Sequence, residues 1–512
     1  MMRVADLLDV SARRYPGKLA VKDERRSLTY AEYQERSLRL ANAALDLGIA
    51  PGERVGVLLA NSVEYAEAIF GLVRAGVVAT HLSFRSSPAE LANLLADSES
   101  RTLIYDAEYA DQVAELLALP DWSPDLDLVR VGEAGETEAR AFTDWVAAGS
   151  TVEPPRVDEP VFYLGYTSGT TGRPKGARIT QDSRVLTAIA ACAEYELSPS
   201  DVTLTFTPMH HGGPLVFVLA PVVVGGSHVI MRRFDENVAW QTIAREGVTN
   251  AFVVPTILGR MVEARGDGES VPQSLRVLVS NAAPLPSPTK EGILGLAPGL
   301  RLHEFYGSTE AGIVTNLRPE DQLRKVRCAG QPLLLTEVEI RDDDGNEVGP
   351  GEVGELWSRS PFLFDGYHDR TDATAEALVD GWASAGDLAR TDEEGYIYIV
   401  DRKKDMIISG GVNIYPKEIE DAILHHAEVA EVAVIGIPDD DWGERIKAFV
   451  VVAEGADPDG AEAAVAEAVA ELAAYKRPRL VEVTDELPRN STGKLLKRVL
   501  RDREWAGREA AI

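Results

Sequence analysis

The chain reads as an α/β protein, with large doubly wound subdomains, then a small β-barrel-like subdomain, then a separate small α+β domain. Three observations predict this. From the N-terminus to about residue 306, short apolar strands alternate with helical patterns of about ten residues, the signature of a largely parallel sheet covered by helices. From about residue 310 the texture changes to glycine-rich strand pairs with acidic turns. A run of five charged residues at 401–405 then sets off about 110 further residues, room for another compact unit. The full length of 512 residues also exceeds what one core fills, since single cores stop growing near ~250–300 residues.

Taken in order, S-L-T-Y-A-E-Y (27–33) opens a helix with Thr29 as its cap. The segments 54–60 and 76–80 read as strands with a helix over 66–75 between them, and a helix over 88–97 precedes a strand at 101–106. The apolar run Val161-Phe162-Tyr163-Leu164 reads as a buried strand, and beyond Lys175 the pattern reads as helical. T-L-T-F-T-P, S-H-V-I-M, N-A-F-V-V-P and R-V-L-V-S continue the strand series between 201 and 306. Segment 338–359 reads strand, acidic turn, strand; with its neighbours it makes the β-rich subdomain of about 311–400 a small distorted barrel. The last unit reads strand, helix (416–427), strands V-A-V-I-G and A-F-V-V-V, an alanine-rich helix (461–474) and a basic tail. The expected boundaries are 1–400, a link at 401–404, and 405–512.

Composition narrows the function classes. The chain carries 82 Asp and Glu against 52 Lys and Arg, a net charge of −30, which disfavours nucleic acid and anionic membranes as partners. No apolar run reaches the ~18 residues of a membrane span. The amphipathic, acid-containing N-terminus is unlike a secretory signal, and the two cysteines, Cys192 and Cys328, give no disulfide framework or metal-ligand spacing. Together these point to a cytoplasmic protein with both cysteines buried as small apolar groups. Acidity repels anionic ligands, but screening confines that field to ~8 Å, and residues 475–512 hold ten Lys or Arg against six Asp or Glu.

The stretch of greatest chemical content is Y-T-S-G-T-T-G-R-P-K-G (166–176). A strand feeding a glycine- and hydroxyl-rich loop presents backbone N–H groups and hydroxyls to phosphate oxygens, and Lys175 adds a charge. It is not the common nucleotide loop, because G-x-x-x-x-G-K-[ST] is absent and Pro174 precedes the lysine. Six more stretches accompany it: T-P-M-H-H-G-G (207–213), N-A-A-P-L-P (281–286), Y-G-S-T-E-A-G (306–312), A-G-D (385–387), D-R-K-K-D-M-I-I-S-G-G-V-N-I-Y-P-K-E-I-E (401–420) and P-R-N-S-T-G-K (488–494). Seven in series resemble the acyl-CoA synthetase branch of the adenylate-forming superfamily, over nearly the whole chain.

The resemblance implies ATP, Mg²⁺ and coenzyme A as reactants. A carboxylic acid is joined to AMP and passed to the CoA thiol. It implies that Thr167, Ser168, Gly169, Thr170, Thr171, Gly172 and Lys175 hold the β- and γ-phosphates. Ala282, Ala283, Pro284, Tyr306 and Gly307 match the nucleotide site, Thr309 the α-phosphate contact and Glu310 the Mg²⁺ carboxylate, an oxygen donor such a hard ion takes. Asp387 and Arg402 look like ribose contacts. Lys494 resembles the lysine that bridges the two anions in the first half-reaction, where catalysis needs cations at developing negative charge. Lys404 matches the hinge about which a mobile C-terminal domain rotates. Ser409, Gly410, Gly411 and Trp442 match the pantetheine tunnel, and Tyr475, Arg477 and Arg85 the CoA nucleotide contacts. His211 matches the gate between tunnel and acyl site, with Phe206, His211, Gly212, Gly213, Asn281 and Gly307 forming the substrate pocket.

Several residues depart from the family pattern. Ala385 replaces a Thr, His81 and Ser83 stand where Pro and Asn are usual, and Asn281-Ala282 replaces a glycine-bearing pair. Gly212-Gly213-Pro214 lacks the Asp that amino-acid-activating relatives carry, so an apolar or aromatic monocarboxylate is expected. His210 and His211 have no third ligand at metal-site spacing. A rival acceptor is a carrier-protein pantetheine, an amine or an inorganic nucleophile, and a second copy of the chain is a further candidate partner. A non-catalytic relative would be expected to lack Lys494, Glu310 or Asp387, and all three are present.

Overall fold

The computed structural model describes residues 2–120, 122, 125–133, 138–167, 174–265, 271–439, 441–489 and 495–506. The chain forms two compact units, Met1–Val338 with Ser358–Ala385, and Glu339–Trp357 with Gly386–Ile512.

The first unit bears out the doubly wound reading. One sheet runs Arg140–Ala141, Asp127–Val131, Thr102–Asp106, Arg54–Leu58, Val78–His81, Val161–Thr167, Lys175–Thr180. All its pairings are parallel except the last. A second sheet orders Gln331–Pro332, Gly312–Leu317, Arg301–Ser308, Val277–Ser280, Asn250–Val253, Val202–Thr205, Ser227–Ile230, Leu19–Lys22 and Ser27–Thr29. Its centre is parallel and both margins are antiparallel. Central parallel strands are covered on both faces, which is why they read as unbroken apolar runs.

Local chemistry explains the helix starts. Thr29 closes a capping box with Glu32 at the head of Tyr30–Asp46, and Ser87 does the same with Glu90 at the head of Pro88–Asp97. Helix Val63–Arg74 is buried along its whole length between layers. Both cysteines are buried.

One expectation fails at the centre of the chain. Lys175–Thr180 is a strand, not the start of a helix, and pairs antiparallel with Val161–Thr167 in the register Thr167↔Lys175 and Tyr166↔Gly176. Ala177 and Ile179 share the buried face at a two-residue period, too short a signal to separate from a helix turn. The helix begins at Gln181, where the Thr180 side chain caps the Ser183 N–H. The glycine-rich region also closes into no barrel among the described residues; its strands form an open sheet.

In the second unit, Val412–Ile414, Ile407–Ser409, Gly443–Val452 and Val429–Asp439 make an antiparallel sheet, and Leu480–Val483 adds in parallel to Gly443–Val452. Helices Pro416–Leu424 and Ala461–Ala468 end earlier than the composition suggests. A second strand pair, Asp387–Thr391 with Ile397–Arg402, precedes this sheet.

Candidate active site

In the first unit the predicted phosphate loop follows in sequence from strand Val161–Thr167, which pairs with Lys175–Thr180. Ser168, Gly169, Thr170, Thr171 and Gly172 lie outside the described residues, as does Lys494. The flanks are well defined. Tyr166 folds across the hairpin so that a Cβ on Gly176 would lie 3.1 Å from its ring. Its hydroxyl donates to Asp97 Oδ2 at 2.8 Å, and Arg370 pairs with the other oxygen of the same carboxylate. Asp97 therefore anchors the base of the loop. Burial and that carboxylate hold the Tyr166 phenol well above its usual range, so it remains a donor.

The Y-G-S-T-E stretch forms a second hairpin beside the first. Strand Arg301–Ser308 turns through Thr309, Glu310 and Ala311 into Gly312–Leu317. A Cβ on Gly165, in the strand that feeds the phosphate loop, would lie 3.1 Å from Thr309 Cγ2, so the two hairpins are in contact. Glu310 is buried at 8 % exposure, and its Oε1 accepts from the Tyr367 hydroxyl at 2.7 Å. Among the described residues no lysine or arginine pairs with it. A carboxylate held by a neutral donor keeps its charge for a cation, so the residues fit a magnesium ion. Glu310 would hold it, and the ion would supply charge neutralisation at the phosphates. Lys175 Nζ lies 5.2 Å from the centroid of the same Tyr367 ring.

The predicted nucleotide segment sits on the neighbouring strand. Asn281 Nδ2 donates to Phe305 O at 2.7 Å, and Leu285 N–H donates to Glu304 Oε2 at 3.0 Å. These two bonds bind Ala282, Ala283 and Pro284 to the strand carrying Tyr306 and Gly307. Ala282 has φ +81°, a left-handed conformation where glycine is at ease and a Cβ is strained.

The histidine pair precedes helix Gly212–Val224, with His211 at the N-cap position. Burial lowers the His211 imidazole to about 4, with Arg85 adding to the effect, so it is neutral at pH 7. His210 stacks edge-on against Phe84 and lies 4.1 Å from the His211 ring, centroid to centroid. A Cβ on Gly212 would lie 3.5 Å from the Tyr163 hydroxyl, and one on Gly213 would lie 3.1 Å from the Phe252 ring. Behind them Tyr195, Phe217, Phe252 and Phe305 form an aromatic cluster. Phe206 packs instead with Phe234 and the separate core around Trp240.

The remaining predicted residues belong to the second unit. Asp387 and Arg402 face each other across an antiparallel pair and form an ion pair at 2.7 Å. Lys404 lies in the short turn Lys403–Asp405. Gly410 and Gly411, at φ +60° and +78°, are the two-residue turn between Ile407–Ser409 and Val412–Ile414. Two positive φ values in such a loop match strand twist. Trp442, 57 % exposed, lies so close that a Cβ on Gly410 would come within 2.5 Å of its indole. Tyr475 is exposed, and Arg477 donates to the carbonyls of Leu472 and Ala470.

Two family models match the chain. The AMP-binding enzyme model matches residues 8–368, and that of the AMP-binding enzyme C-terminal domain matches residues 418–494. The chain belongs to the AMP-binding enzyme family. Among its relatives, a feruloyl-CoA synthase of Amycolatopsis is 38% identical over 498 residues, 96% of this chain and 97% of the relative. A long-chain-fatty-acid–CoA ligase of Mycobacterium tuberculosis is 36% identical over 490 residues, 93% of each chain. The o-succinylbenzoate CoA synthetase of Bacillus subtilis, solved in complex with its acyl-adenylate intermediate, superposes with a TM-score of 0.86 at 29% identity over 99% of both chains. The resemblance read from the seven motifs is thereby borne out. In the described residues no helix is long and apolar enough to cross a membrane.

Tyr367 and Asp97, which hold the predicted Glu310 and the motif residue Tyr166, were not found in the sequence. Tyr367 follows Glu310 by 57 residues and Asp97 precedes Tyr166 by 69. Only the fold brings such distant positions together.

Proposed function

We propose that this AMP-binding enzyme is an acid–CoA ligase that forms acyl-AMP from ATP and a carboxylic acid, then passes the acyl group to coenzyme A. One observation carries the reading. The flanks of a phosphate loop, a threonine and a buried carboxylate without a cationic partner among the described residues meet in one place. There Thr167 and Lys175 would face the leaving pyrophosphate oxygens, Thr309 the α-phosphate, and Glu310 the magnesium ion. Preset donors and charges stabilise the negative charge that develops at phosphorus without reorganising. Lys494 would bring a cation to the same phosphorus in this half-reaction, with Lys404 as hinge and 405–512 as the mobile part.

The acyl group would meet an apolar surface. Gly213 against Phe252, and the aromatic cluster behind it, favour an aromatic or alkyl monocarboxylate over an acid with a charged tail. A neutral His211 at that surface would repel no cation and attract no anion. Ser409, Gly410, Gly411 and Trp442 would meet the pantetheine arm, and Tyr475, Arg477 and Arg85 the CoA nucleotide; Asp387 and Arg402 would meet the ribose. A carrier-protein pantetheine is the alternative acceptor.

The test is pyrophosphate release across a panel of aromatic, alkyl and dicarboxylic acids, with and without coenzyme A. The reading expects release that depends on an apolar acid, and thioester only when CoA is present. Release with no acid dependence would contradict it; an acyl-adenylate untouched by CoA but consumed by holo-carrier protein would reassign the acceptor.

A further inference from the structure

Tyr367 lies outside all seven motifs, yet contacts from both halves of the site converge on it. Its hydroxyl donates to Glu310 Oε1 at 2.7 Å, and its ring faces the Lys175 ammonium, 5.2 Å from the centroid. Its own N–H donates to Thr374 Oγ1 at 2.9 Å, and the residue forms an antiparallel bridge with Ala177 in the strand that Lys175 opens. On one side, Phe364 N–H donates to Glu310 O at 2.8 Å; on the other, His368 N–H donates to Gly176 O at 2.7 Å. The Phe364 ring meets Tyr367 edge-on at 4.9 Å, which limits how far the phenol can swing.

We propose that Tyr367 is a positioning residue for the divalent cation and the Lys175 ammonium together. Its hydroxyl commits one oxygen of Glu310 and leaves the other for the ion, while its ring holds the Lys175 ammonium at the loop. A small octahedral cation takes a carboxylate through one oxygen, so a hydroxyl that occupies the second selects that mode. The donor is neutral, so it orients the carboxylate without cancelling the charge the cation needs. The aromatic face attracts the ammonium in the same way, without an anion that would repel phosphate. The inference rests on Glu310 being the magnesium carboxylate, as proposed above.

The experiment measures ATP binding by calorimetry at stepped Mg²⁺ concentrations, without acid, and Mn²⁺ binding in the presence of ATP by electron paramagnetic resonance. Tyr367→Phe keeps the ring and removes the hydroxyl. It should raise the Mg²⁺ midpoint about tenfold, the worth of a hydrogen bond to a charged group, and weaken Mn²⁺ binding in parallel. Its ATP affinity at saturating Mg²⁺ should change less than about twofold. Tyr367→Leu removes the ring as well and should also weaken ATP at saturating Mg²⁺, by about fivefold. Melting temperatures are recorded for each variant. A Tyr367→Phe protein with lowered melting temperature and an unmoved Mg²⁺ midpoint would reduce the residue to packing and overturn the proposal. Glu310→Gln separates the layers. If it shifts the midpoint and Tyr367→Phe does not, this inference fails alone; if Glu310→Gln shifts nothing, the metal reading fails and takes the inference with it.

Discussion

Gly307 gives the sharpest test of the hairpin that carries Tyr306, Thr309 and Glu310. A Cβ built on it lies 2.1 Å from Gly312 O and 3.1 Å from Gly312 C, whereas real Cβ contacts essentially never fall below 3.0 Å. The obstruction is backbone on the paired strand, so no side-chain rotation relieves it. In Gly307→Ala the two strands must part by about 1 Å at the point where the register already shifts between Tyr306 and Gly307. A displacement of that size in a reacting group costs roughly 10²-fold in rate. The assay is acid-dependent exchange of labelled pyrophosphate into ATP, which reads adenylate formation alone. Gly299→Ala is the control, since a Cβ there meets nothing within 4 Å. A Gly307→Ala enzyme within about twofold of wild type would refute the argument that this close approach sets the geometry of Thr309 and Glu310.

Four further outcomes follow from the same structure. Ala282→Gly should stabilise the protein by about 1 kcal/mol by releasing the strained φ of +81°, read as a rise in denaturation midpoint. Lys494→Ala should slow acyl-adenylate formation roughly 10²-fold and spare thioester formation from presynthesised acyl-adenylate; equal losses in both would contradict the assigned role. Gly410→Ala, whose Cβ would strike the Trp442 indole, should slow the thioester step and leave pyrophosphate exchange intact. Burial lowers His81 and His228 to about 3 and His211 and His303 to about 4. Their folded values lie below the unfolded ~6.5, so their contribution is full above that pH and is lost as pH falls toward about 3–4. Melting temperature should therefore drop on acidification through that window, with less slope in His228→Asn.

The fold was legible where the pattern was long. Strands such as Val277–Ser280 are covered on both faces and read as apolar runs, and helix Pro88–Asp97 carries its own start signal in Ser87 and Glu90. Lys175–Thr180 was not legible, because six residues with three buried positions fit a helix turn as well as a strand. What decides it is the partner strand, a tertiary fact. The motifs marked Glu310 and Thr309 through residue type and order. They could not mark Tyr367 or Asp97, whose roles rest on contacts between segments far apart in sequence. Residue type alone marked Gly410 and Gly411; their φ values of +60° and +78° show that they form the turn between Ile407–Ser409 and Val412–Ile414.

The central claim is that the carboxylate oxygen attacks the α-phosphorus of ATP. Incubating the enzyme with ATP, Mg²⁺, coenzyme A and an active acid labelled with heavy oxygen in its carboxylate tests this directly. The account predicts one labelled oxygen in the AMP released and none in pyrophosphate. Label appearing in inorganic phosphate, with ADP as the nucleotide product, would contradict it.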